Sequence, residues 1–218
     1  MYFQQTRYAR VPTQFLIASA TIPEEMRSFI TQEIPEIKVI ESGVVSPARL
    51  THKWVVAPLH RRTETLLQIL ADNSNGKEGC KKTIIFVQRT EIGEGVLEIL
   101  ENAGHYVTMI NGNMSEMKRA VVFKQFDSGQ FDIMVATDII ARGIDIPDCE
   151  MVIQIQPGPD LEMYQHRAGR AARAGRHGTS IVIVSDSHVK DRELVKQVRE
   201  VVEVQVEDAT TFLRKLYI

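Results

Sequence analysis

The chain has 218 residues, a formal net charge of −2, 44% hydrophobic and 25% charged residues, a balance that suits one ordinary globular domain with an appendage. The near-neutral charge excludes an overall basic field as the means of holding nucleic acid, so any such binding has to come from a local patch. No apolar run approaches the roughly 18 residues of a membrane span, and the two cysteines, Cys80 and Cys149, lack metal or disulfide spacing and read as free thiols of a reducing, intracellular compartment.

In chain order, residues 1–4 look like the remnant of a protease-cleavage tag, which leaves targeting signals illegible. Gln14 to Ala18 is an apolar run expected to be a strand. Pro23 with Glu24 and Glu25 then suits the first turn of a helix, where a missing N–H costs nothing and acidic side chains meet the positive end of the helix dipole. A short strand is expected at Ile37 to Ile40, and Ser42 to Ala48, with Gly43 and Pro47, reads as a linker.

From Leu50 the pattern alternates strand and helix. Strands are expected at His52–Ala57, Thr83–Val87, Tyr106–Ile110, Ile133–Ala136, Met151–Ile155 and Thr179–Val184. Helices are expected near Arg61–Ala71, Thr90–Asn102, Ser115–Asp127, Leu161–Arg173 and Ser187–Val201. Strands separated by helices of this length imply βαβ units and a parallel sheet, hence an α/β fold. Asn73 to Lys82 reads as a solvated connector, and Trp54 as core. The apolar alternation Val202, Val204, Val206 leads into residues 204–218, which suggest no role.

Two stretches carry chemistry. His166 to Arg176 spaces Arg167, Arg170, Arg173 and Arg176 three apart, separated by glycine and alanine. On a helix spanning 161–174 these would share one face. Four guanidiniums on one stripe repel one another unless concentrated negative charge lies opposite, and their planar forks suit phosphate. Upstream, the expected strand at Ile133 breaks into Thr137-Asp138 and then Arg142-Gly143-Ile144-Asp145. Polar groups at the carboxyl end of a buried strand sit where open α/β sheets collect ligands.

Together these stretches resemble motifs V and VI of the DEAD-box RNA helicases, whose motor consists of two RecA-like domains. Ser19-Ala20-Thr21 resembles motif III, Thr83 to Gln88 resembles motif IV, and Asn111 to Arg119 resembles the family's His-Gly-Asp-Met segment, all in the family's order. The resemblance implies a RecA-like three-layer sandwich with a mostly parallel sheet. It also implies a domain plan: the tail of the first RecA-like domain in 1–41, a linker in 42–50, the second RecA-like domain in 51–203 and an extension in 204–218.

The family's roles, carried onto matching positions, make Arg170 and Arg173 the arginine fingers directed at the γ-phosphate of ATP. Gly143, Asp145, His166 and Arg167 fall on the nucleotide side. Gln88, Arg89, Gly112, Arg119, Thr137 and Asp138 fall on RNA sugar–phosphate contacts along the opposite edge. Glu116 stands where the family carries Gln, and is expected to cap the helix begun by Ser115.

No phosphate loop and no Asp-Glu-Ala-Asp run occur in the sequence. The resemblance assigns those, and with them most of the ATP and Mg²⁺ contacts, to the protein's own N-terminal RecA-like domain. The fragment alone is therefore expected not to turn over ATP. Its other expected partners are RNA and, through residues 14–40, a second copy of itself. Two other readings are a non-catalytic RecA-like module and a fragment of a DNA-repair helicase.

Overall fold

The computed structural model describes residues 16–17, 22, 24–40, 49–73, 81–138, 149–173 and 175–208. The chain divides into two compact units, 1–42 and 43–218. In the first, helix α1 (Glu24–Glu33) opens with Glu24 and Glu25 in its first turn and buries no residue, leaving Met26 and Phe29 exposed. The strand expected at Ile37–Ile40 is not one; those residues join no ladder, and only Ile37 is sheltered at all. Apolar residues alone do not make a strand without a neighbour to exchange backbone hydrogen bonds. The strand expected at Gln14–Ala18 and the linker at Ser42–Ala48 fall largely outside the described residues.

The second unit is built on one parallel sheet. Its strands are β1 (Leu50–Val56), β2 (Thr83–Val87), β3 (Val107–Ile110), β4 (Ile133–Thr137), β5 (Met151–Gln154), β6 (Gly178–Val184) and β7 (Val204–Asp208), ordered β3-β4-β2-β5-β6-β1-β7. Every pairing is parallel, with β2 in register against β4 from Thr83↔Ile133 to Val87↔Thr137 and against β5 from Thr83↔Met151. Strands β2, β4 and β5 are buried throughout, which is why their sequences read as apolar runs and not as alternations.

Alternate residues of each strand feed opposite faces. Val55, Ile85, Val135, Ile153 and Ile183 pack with Leu66, Ile69 and Leu70 of α2 (Arg62–Asn73) and with Val96 and Leu100 of α3 (Thr90–Asn102). On the other face Ile84, Phe86, Met134 and Val152 meet Phe126 of α4 (Glu116–Asp127). There too Trp54, Val182 and Val184 meet Tyr164 and Ala168 of α5 (Leu161–Ala168) and Leu194 and Val198 of α6 (Val189–Arg199). The result is the expected three-layer α/β sandwich, with Trp54 in its core.

Ser115 caps α4 by accepting from the Lys118 amide, so Glu116 is a first-turn residue and not the cap. The unassigned alternation after Val202 becomes β7, which pairs with β1 from His52↔Val204 to Val56↔Asp208.

One feature of the order positions the site. From β2 the chain crosses toward β3 and β4; from β5 it crosses the other way, toward β6. The carboxyl ends of two neighbouring strands whose exits diverge are where open α/β sheets collect ligands.

Candidate functional site

At that divergence, the residues that follow β2, β4 and β5 converge. Gln88 donates from Nε2 to the Pro157 carbonyl across the gap between β2 and β5, at 2.9 Å. Arg89 is exposed beside it as the N-cap of α3. Thr137, the last residue of β4, is buried, and its hydroxyl has no partner among the described residues.

The centre of the site is Arg167. Its guanidinium is fully enclosed, donates from Nε to Asp138 at 2.7 Å and also reaches Asp138 through Nη2. Nη1 donates to Gln154 Oε1 at 3.0 Å and to the Gln156 carbonyl at 2.9 Å. The cation also lies over the Phe86 ring, 5.4 Å from its centroid. Burial, the largest influence, pushes the Arg167 pKa down, while the Asp138 charge pushes it back up. Arginine stays protonated across any working pH, so a buried positive charge is held here by one carboxylate, two carbonyl oxygens and a ring face. Asp138 and Arg167, expected on opposite edges, are therefore one ion pair.

The helix expected to continue to Arg173 ends at Ala168. Gly169 closes it, its amide donating to the Gln165 carbonyl at 2.8 Å. The next amides make tighter turn bonds, Arg170 to the Arg167 carbonyl and Ala171 to that of Ala168, both at 3.1 Å. Ala172 then adopts φ 62°, a left-handed conformation that ends any helix. The stripe of four arginines does not exist. Arg167 points inward, Arg170 and Arg173 are half-buried on a turn, and Arg176 is exposed.

That turn is pinned to the sheet. Ala171 forms a β-bridge with Cys149, the Cys149 amide donates to the Arg170 carbonyl at 3.3 Å, and Arg173 Nε donates to the Gly169 carbonyl at 2.8 Å. His166 is half-buried on α5, and its Nδ1 has no partner among the described residues. α5 is anchored at its start by the Asp160 carboxylate, which accepts from the Met163 amide at 2.8 Å.

The remaining expected residues form a separate group after β3. Arg119 of α4 donates from Nη2 to the Gly112 carbonyl at 2.9 Å. Next to it, Thr90, Glu94, Asn111, Asn113, Met114, Ser115 and Lys118 line an open cleft of about 420 Å³. Gly143 and Asp145, with the rest of motif V after Asp138, and Ser19 to Thr21 lie outside the described residues. Among the described residues, no group of three or more His, Cys, Asp or Glu is placed to hold a metal ion. None of their helices is long and apolar enough to cross a membrane.

Gln154, Gln156 and Phe86 were not singled out in the sequence. The signal for Gln154 was present, as a polar residue closing an otherwise apolar buried strand.

Residues 61–175 match the helicase conserved C-terminal domain. The chain belongs to the DEAD-box helicases. Within that family it is 30% identical over 205 residues to the ATP-dependent RNA helicase DBP8 of Kluyveromyces lactis, covering 90% of this chain and 46% of the relative. It is 32% identical over 172 residues to the DEAD-box ATP-dependent RNA helicase CshB of Bacillus subtilis, covering 78% and 38%. The DEAD-box domain described here thus spans less than half the length of these relatives. Among solved structures, Dbp5 of S. cerevisiae bound to RNA and ADP BeF3 superposes with a TM-score of 0.73 at 21% identity, over 91% of this chain and 52% of that one, which shows the RecA-like fold. The E. coli DEAD-box protein SrmB bound to regulator of ribonuclease activity A matches at TM-score 0.60 and 31% identity, over 72% and 89%.

Proposed function

We propose that this domain is the second half of an ATP-dependent RNA helicase. In this reading it supplies two arginine fingers and part of the RNA surface to a motor completed by an N-terminal RecA-like domain. The observation that carries the proposal is the arrangement around Arg167. Asp138, assigned to the RNA side, holds the guanidinium of Arg167, and one turn further the half-buried Arg170 and Arg173 leave the helix on a segment fixed to the sheet.

In this reading Arg170 and Arg173 meet the γ-phosphate of ATP bound by the other domain and stabilise the charge that develops in transfer. Gly143 and Asp145 border the nucleotide's sugar, and His166 couples the cleft to motif III. Arg167 touches no ligand; it is a positioning residue that holds Asp138 and α5 in one arrangement. Gln88, Arg89, Gly112, Arg119, Thr137 and Asp138 face the RNA backbone, where contacts fix register without reading sequence. ATP and RNA together favour the closed pair of domains, in which one RNA strand is bent out of duplex geometry, and hydrolysis reopens it. In this reading Mg²⁺ is bound mainly through the other domain. The domain alone is accordingly expected to be inactive. Met26 and Phe29, exposed on α1, support packing of residues 14–40 against a partner surface, the N-terminal domain or a second copy.

The test is RNA-stimulated ATPase of the full-length protein beside Arg170→Ala. A loss of turnover of roughly 10³- to 10⁵-fold with RNA binding retained is the expected result. A wild type whose ATPase ignores RNA would leave the non-catalytic module as the better account.

A further inference from the structure

Gly178 opens β6, 8 residues beyond Arg170, and lies outside every motif discussed above. Its backbone is firmly placed: its amide donates to the Arg49 carbonyl at 3.0 Å, and the next amide, of Thr179, donates to the Glu150 carbonyl at 2.9 Å. A Cβ built on Gly178 would lie far inside contact distance of the Ala172 amide nitrogen, and 2.9 Å from both Ala172 Cα and Ala171 Cβ. Two of these three atoms are backbone, and the third is a Cβ that cannot rotate away. The clash has no cheap relief: the Ala171–Ala172 segment moves, or β6 does.

β6 is the less free to move. It is paired on both sides, with β1 from Leu50↔Gly178 to Val56↔Val184 and with β5 from Met151↔Thr179 to Gln154↔Val182. The segment opposite is a turn, joined to Cys149 through an isolated bridge at Ala171 and not through a strand ladder, and it carries the left-handed Ala172. A push from Gly178 is therefore absorbed by the turn, and the turn carries Arg170 on one side and Arg173 on the other. The neighbouring Gly175, also left-handed at φ 75°, meets nothing within 4 Å where its Cβ would be, so the constraint is local to Gly178.

We infer that Gly178 is a positioning residue for the arginine fingers: the missing side chain lets the Arg170–Arg173 turn lie directly on the first residue of β6. The inference rests on the finger role proposed above and adds a residue that sets where the fingers stand. A displacement of about 1 Å at a catalytic group costs on the order of 10²-fold in rate, so a buried glycine with no functional atom acquires a kinetic phenotype.

The test uses Gly178→Ala in the full-length protein, with two readouts. Amide hydrogen exchange should show the Cys149 amide, which donates to the Arg170 carbonyl, losing protection while the Ile153 amide in β5 keeps it. RNA-stimulated kcat should fall about 10²-fold, with KM for ATP and RNA affinity changed by less than about threefold. Leu100→Ala, which removes core contacts of α3 on the face of the sheet opposite Ala171, controls for stability and should lower the melting temperature without this kcat loss. Unchanged Cys149 protection, or lost protection with normal kcat, overturns the inference while the helicase reading stands. A kcat loss equal to that of Leu100→Ala also overturns it. A wild type without RNA-stimulated ATPase removes the helicase reading and the positioning role together.

Discussion

Two buried Arg–Asp pairs stand at the carboxyl edge of the sheet, and they are built with opposite emphasis. In Arg62–Asp191 both side chains are enclosed, at 10% and 4% exposure, and the carboxylate is the oversupplied partner. Asp191 accepts from Arg62, from the Ser185 amide at 2.8 Å and from His188 Nδ1 at 2.7 Å, which ties the starts of α2 and α6 to the end of β6. In Arg167–Asp138 the guanidinium is the enclosed partner, at 0%, while Asp138 is 26% exposed. A carboxylate surrounded by donors has no open side and serves the fold. A buried cation behind a partly open carboxylate leaves that carboxylate facing whatever approaches the edge. Equal chemistry, differently buried, separates a staple from a site.

The largest expected effect follows from removing the staple's acceptor. Asp191→Ala leaves Arg62, the Ser185 amide and His188 without their shared partner and should destabilise by about 3–5 kcal/mol in urea unfolding. Asp138→Ala should be milder, about 1–3 kcal/mol, because Arg167 keeps Gln154 Oε1 and the Gln156 carbonyl and water enters where Asp138 already meets solvent. Equal losses would erase the distinction between the two pairs.

A smaller effect concerns the seat of α5, which carries Arg167. The Tyr164 hydroxyl of α5 and His52 Nδ1 of β1 share a buried hydrogen bond, and burial holds His52 below its ordinary value of 6.5. The unfolded chain then takes up a proton near that value that the folded chain refuses. Stability is thus complete above pH 6.5 and declines as pH falls through it, until folded His52 also protonates. The slope from this one group is at most about 1.4 kcal/mol per pH unit. Urea midpoints from neutral pH down to about pH 5 should show it, and His52→Asn should remove it.

Much of this fold was legible because it is local. Thr83–Val87 and Thr90–Asn102 begin and end where apolar runs and turn residues say they do. What escaped depends on distant partners or on a backbone choice that side chains do not announce. β7 pairs with β1, some 150 residues earlier, and its few alternating valines look like any tail without that neighbour. Arginines three apart read as a helix face, yet Gly169 closes α5 and Ala172 turns left-handed, a conformation that Ala-Ala does not advertise. The burial of Arg167 was hidden for the same reason: Asp138, Gln154 and Phe86 come from three different strands' ends. The motifs said which residues to watch, while the structure says which of them face one another.

The most direct measurement is RNA-stimulated ATPase at saturating RNA for Asp138→Asn and Asp191→Asn in the full-length protein, well below either melting transition. If the Arg167–Asp138 pair couples the RNA edge to the finger segment, Asp138→Asn should lose stimulation by roughly 5- to 150-fold. Asp191→Asn, although less stable, should keep it. Full stimulation in Asp138→Asn, or a matching loss in Asp191→Asn, would contradict the account.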